Sequence, residues 1–76
     1  MASRLSLPEA GTSADELLRQ PGRSEDHAVA DPKVTGEDDN GLVVEWYYRD
    51  CVVELRHDGN RYRVTEVREV GPDAGR

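Results

Sequence analysis

At 76 residues the chain is long enough for one small domain at most. Its single Cys excludes an intramolecular disulfide and a zinc site of the paired-Cys type, and a net charge of −6 argues against global attraction to a phosphate backbone. The charge is uneven: residues 1–41 carry nine acids against four bases, whereas residues 42–70 carry six against five.

The N-terminal residues contain no apolar run of signal-peptide length, and no stretch approaches the ~18 apolar residues of a membrane span. A soluble, cytoplasmic protein without membrane contact is the expectation. Residues 1–12 hold Leu5 and Leu7 as their only large apolar groups, with Pro8 and Gly11 after them, which predicts disorder. Ser13 and Glu16 then match a capping box, and Asp15 and Glu16 suit the positive end of a helix dipole. Pro21 and Gly22 stop the pattern, so the predicted helix covers only 14–19. A helix of that length is marginal alone in water. Two expectations follow: a transient turn, or a helix that docks Leu17 and Leu18 onto the sheet or onto a partner.

Residues 21–41 read PGRSEDHAVADPKVTGEDDNG. Their apolar groups are small and scattered among Gly, Pro and acids, so burial does not offset the entropy of ordering. The whole of 1–41 is predicted to be a disordered acidic arm.

From residue 42 the pattern alternates with period two. Leu42, Val44, Trp46 and Tyr48 share one face, and Val43, Glu45, Tyr47 and Arg49 the other. Beyond Asp50 the alternation resumes with Cys51, Val53 and Leu55, and a third run places Tyr62 and Val64 on that same face. Asp58-Gly59 is a strong two-residue hairpin signal. A turn there sets Leu55 opposite Tyr62, Val53 opposite Val64 and Glu54 opposite Arg63, whereas the rival turn on Gly59-Asn60 sets Val53 against Glu66. A first turn on Arg49-Asp50 pairs Trp46 with Val53 and Val44 with Leu55; the alternative is one long bent strand over 42–56. After Val64 the alternation slips: either a bulge near Thr65 or Glu66 restores it, or Val67 and Val70 serve a second contact. The predicted fold is therefore mainly β: a three-stranded antiparallel meander over 42–70, a long disordered arm with one short helix, and a flexible tail over 71–76.

A unit of 29 residues is below the size at which a bare sheet stands alone. Its apolar face needs a cover: the arm's helix, a second copy, or a partner. This makes Val44, Trp46, Tyr48, Tyr62, Leu17 and Leu18 the candidate partner-binding residues, since aromatic side chains anchor interfaces. On the opposite face, Tyr47, Arg56, Arg61 and Arg63 mix rings with arginines as single-strand nucleic-acid binders do. Glu45 and Glu54 share that face and neutralise it, so nucleic acid is not the favoured ligand.

Cys51 and His57 lie about 20 Å apart along a strand, too far for a nucleophile–base pair. His27 stands far from both in sequence, so no metal set, cofactor site or catalytic constellation emerges. The sequence points to a small non-enzymatic protein-interaction or regulatory module that buries its aromatic sheet face in a homodimer or against a larger partner. A single-stranded nucleic-acid binder is the alternative, and an acidic mimic or inhibitor acting through the arm is another.

Overall fold

The computed structural model describes residues 7–70. The flexible tail expected over 71–76, and the part of the expected disorder that falls on 1–6, lie outside the described residues. Helix α1 (Ala14–Arg19) is followed by a 3-10 turn (Glu25–His27) and four strands: β1 (Ala28–Asp38), β2 (Gly41–Tyr48), β3 (Cys51–Asp58) and β4 (Arg61–Glu69). They form one antiparallel sheet in the order β1-β2-β3-β4.

Helix α1 occupies the predicted span. The Ser13 hydroxyl oxygen accepts a hydrogen bond from the Glu16 N–H at 3.2 Å, and the Ser13 hydroxyl donates to the Glu16 carboxylate at 3.1 Å. Pro21 and Gly22 end the helix, with Gly22 at φ +76°. Two turns of helix persist because Leu17 is fully buried against the sheet, so tertiary packing replaces the length the helix lacks.

The sheet has four strands where the sequence predicted three. The added strand, β1, comes from residues assigned to the disordered arm. It has little alternation and contains Pro32 and Gly36. It forms because β2 offers a full row of backbone donors and acceptors, which low side-chain propensity does not remove. Its pairing with β2 shifts register three times, and Pro32 is tolerated on such a bulged edge. The β1–β2 connection is closed by the Asp38 carboxylate, which accepts from the Asn40 N–H at 2.9 Å and the Gly41 N–H at 3.2 Å. The two turn residues are Asp39-Asn40, with Asp38 at the first and Gly41 at the last position, where the sequence reading placed only the end of the arm.

Between β2 and β3 the register has Val44 opposite Leu55 and Trp46 opposite Val53, as a turn on Arg49-Asp50 requires. Between β3 and β4 the expected register is corrected. The turn sits on Gly59-Asn60, and the pairs are His57 with Tyr62, Arg56 with Arg63 and Leu55 with Val64. Gly59 takes φ +69° while Asn60 does not enter positive φ, the pattern of a type II′ turn. A bulge at Thr65 then brings Val67 opposite Val53 instead of Glu66. This register keeps Val53, Leu55, Val64 and Val67 on one face, which outweighs the lost Glu54–Arg63 pair.

The inner face of the sheet carries the core: Tyr48, Cys51, Val53, Leu55 and Val64 cluster with Leu17, and Ala14, Trp46, Tyr62 and Val67 pack against them. Residues 11–13 also cover part of the β4 edge. The Gly11 N–H donates to the Val64 carbonyl, and the Val64 N–H donates to the Thr12 carbonyl, each at 2.8 Å. The cover that the apolar face needs therefore comes in large part from the chain's own N-terminal residues.

Candidate interaction face

The cover is not symmetrical. Helix α1 lies over the β3–β4 side of the inner face, where Val53, Leu55 and Val64 are fully buried. On the β1–β2 side the same face remains open. Val34 pairs with Val44 across the two strands and is 56% exposed, and Leu42 is 42% exposed. Val44 and Trp46 continue the stripe along β2, both half-buried. At the far end lies a cleft of about 470 Å³ lined by Leu18, Ala28, Val29, Pro32, Trp46 and Tyr48, with Glu25 and Asp31 at its polar margin. Val29, in the first bulge of β1, is 57% exposed there.

One buried side chain sets this geometry, and the sequence reading missed it. Arg23 is only 1% exposed. Its Nη1 donates to Asp50 Oδ1 at 2.6 Å and its Nη2 to Asp50 Oδ2 at 2.9 Å, a bidentate pair. Nη1 also lies 3.4 Å from Cys51 Sγ, and the guanidinium carbon stands 5.1 Å from the Tyr48 ring centroid. The Arg23 carbonyl accepts the Tyr48 hydroxyl at 2.7 Å. These contacts fasten the segment after α1 to the β2–β3 turn and so hold Leu18 at one wall of the cleft. No local signal marks Arg23, because its partner is 27 residues away.

The electrostatics of this cluster are structural in character. The hydrogen bonds from Arg23 hold the Asp50 carboxyl below the usual carboxylate range. Burial pushes the Tyr48 phenol up to about 12 and the Cys51 thiol up to about 11. A thiol so protonated and enclosed is a core side chain at neutral pH, not a nucleophile.

The six predicted partner-binding residues divide. Leu17 and Tyr48 are buried in the protein's own core, and Tyr62 packs at its margin with its ring edge-on to His57 at 5.1 Å. Val44, Trp46 and Leu18 are brought together along the open half. Val34, Leu42 and Val29 belong to the same region. Leu42 was on the predicted apolar face, whereas Val29 and Val34 were hidden in the presumed arm.

The outer face is a network of paired charges. Arg56 contacts Glu54 at 3.1 Å and Asp38 at 3.2 Å, and Arg68 bonds Glu45. The Tyr47 hydroxyl donates to Glu45 at 3.0 Å, and the Thr65 hydroxyl to Glu54 at 2.8 Å. Arg63 pairs with Asp58 at 3.1 Å and donates to the Gly11 carbonyl at 3.0 Å, while Arg61 is exposed. Thus Tyr47, Arg56 and Arg63 of the nucleic-acid alternative already have protein partners. Among the described residues no group of three or more His, Cys, Asp or Glu is placed to hold a metal ion, and no helix is long and apolar enough to cross a membrane. Comparison of the chain with protein-family models, with curated proteins and with solved structures finds no match.

Proposed function

We propose that this protein is a small non-enzymatic interaction module that binds another protein through the open half of its inner sheet face. The observation that carries the proposal is the apolar stripe of Leu42, Val34, Val44 and Trp46 running into the cleft beside Leu18. Scattered exposed apolar side chains need no explanation, but a contiguous stripe ending in a concave site is what interaction surfaces present. Both sheet edges are poor alternatives. β1 is bulged three times, contains Pro32 and carries Asp31, Lys33 and Glu37; β4 is capped by residues 11–13 and bulged at Thr65. These are the devices that discourage strand-to-strand addition, which leaves the face. An oligonucleotide on the outer face is the weaker alternative, because it must displace the ion pairs of Arg56, Arg63 and Arg68 before phosphate contacts form.

The test is site-specific photo-crosslinking in cells that make the protein. A photoreactive residue at Val34 is expected to give a discrete, saturable protein adduct that Leu42→Asp abolishes, while one at Thr65 gives none. Absence of an adduct at Val34, or equal adducts at both positions, refutes the proposal.

A further inference from the structure

We infer that the partner presents a basic amphipathic helix, seated beside α1 on the open half of the sheet; this rests on the interaction-module function proposed above. The form of the occupant follows from backbone accounting. The bulged β1 edge offers no regular ladder, so a segment lying on the face must satisfy its own backbone donors and acceptors. A helix does so, and α1 already covers the other half of this sheet in that way. From Leu42 to Tyr48, the cleft wall, the stripe and the cleft together span seven residues of β2, about 20 Å, which matches a helix of about 13 residues. Anchors spaced i, i+3, i+4 and i+7 would place one apolar side chain in the cleft beside Trp46 and others on Val34 and Leu42. A cleft of about 470 Å³ accommodates one or two such side chains, not a domain.

The charge of the occupant follows from the rim. Residues 24–41 hold six acids and one Lys. Asp38 is engaged by Arg56, but no ion pair neutralises Glu25 or Asp31 at the cleft among the described residues. Lys33 does not screen them from within the cleft, since it pairs with Glu45 in register and so lies toward the outer face. A second copy of this chain would bring the same acids together across a two-fold axis, each copy carrying −6. Flanking Lys or Arg on a partner helix instead meets complementary potential.

The probes are two synthetic peptides of about 14 residues with identical Leu positions on one helical face. One carries Lys on its remaining positions and the other carries Glu. The readout is the amide and indole resonances of the full chain. The Lys peptide is expected to give saturable shifts at Trp46, Leu18, Val34 and Leu42, and the Glu peptide none. Glu25→Gln with Asp31→Asn should weaken the Lys peptide by about three- to tenfold, as should raising the salt from about 20 to about 300 mM. Val34→Asp, at an exposed position, should abolish the shifts while the circular dichroism stays unchanged. Shifts confined to the outer face, no shifts, or a concentration-dependent dimer seated on Trp46 overturns the inference. In the crosslinking experiment the two proposals separate. An adduct at Val34 that survives Glu25→Lys with Asp31→Lys but is lost with Leu42→Asp keeps the interaction face and overturns the basic helix. No adduct at all removes both.

Discussion

Replacing Asp50 by Asn tests whether Arg23 is what fixes the N-terminal segment to the sheet. The substitution keeps the shape and removes the carboxylate charge from beside a guanidinium that is 1% exposed. Breaking a fully buried pair in this way costs about 3–5 kcal/mol. The Asp50 side chain is 37% exposed, so water already screens part of the attraction, and two charge-assisted bonds at 2.6 and 2.9 Å support a loss of about 2 kcal/mol. With a urea m-value of about 1 kcal/mol per M for a chain this small, the midpoint should fall by about 2 M. Trp46, the only Trp, packs against the core and reports the transition by fluorescence. The pH dependence carries a definite sign. The folded-state pKa of Asp50 lies below its unfolded value, so this stabilisation is complete above about pH 4 and is lost as pH falls through the folded value. The gap between the wild type and Asp50→Asn should hold steady from pH 7 to about pH 5 and close in stronger acid. Asp38 and Glu54 are also depressed, but they titrate in both proteins and cancel in the difference. A variant within about 0.5 kcal/mol of the wild type at pH 7, or a gap that persists in strong acid, refutes the role given to Arg23.

Leu17→Ala should cost about 2–5 kcal/mol by urea unfolding and should raise hydrogen exchange in 14–19, because Leu17 is the helix's fully buried contact. Equal exchange in the two proteins would mean that α1 is held by something else. Gly41→Ala should destabilise by about 1 kcal/mol or more: Gly41 has φ +140°, and an added Cβ would lie 3.1 Å from the His57 Cβ. A neutral effect on the melting curve would count against the β1–β2 turn described above. Cys51 should resist iodoacetamide at pH 7 in the native protein and react once urea unfolds it, since burial raises its thiol to about 11. Stoichiometric labelling of the native chain at the unfolded rate would show that the core around Arg23 is open.

Much of the candidate face was readable in the residues themselves. Val44, Trp46 and Leu18 stand where alternation and the helix cap suggest, because both are local properties of strand and helix. Val29 and Val34 were not readable. They sit in a strand whose composition favours disorder and whose pairing comes from β2. Tyr48 and Leu17 belong to the predicted apolar groups, yet the fold spends them on its own core.

What the sequence alone determined is the set of local elements. Period-two alternation marked β2 and β3, the Ser13–Glu16 cap marked α1, and the excess of acids marked the first half as the more negative part of the chain. The tertiary structure decided the rest: that β1 exists, that the last hairpin turns on Gly59-Asn60, and that Arg23 is buried against Asp50. Each of those depends on groups distant along the chain or on a choice between near-equal registers. Such choices are settled by how many apolar side chains reach one face together, a quantity that no window of neighbouring residues contains.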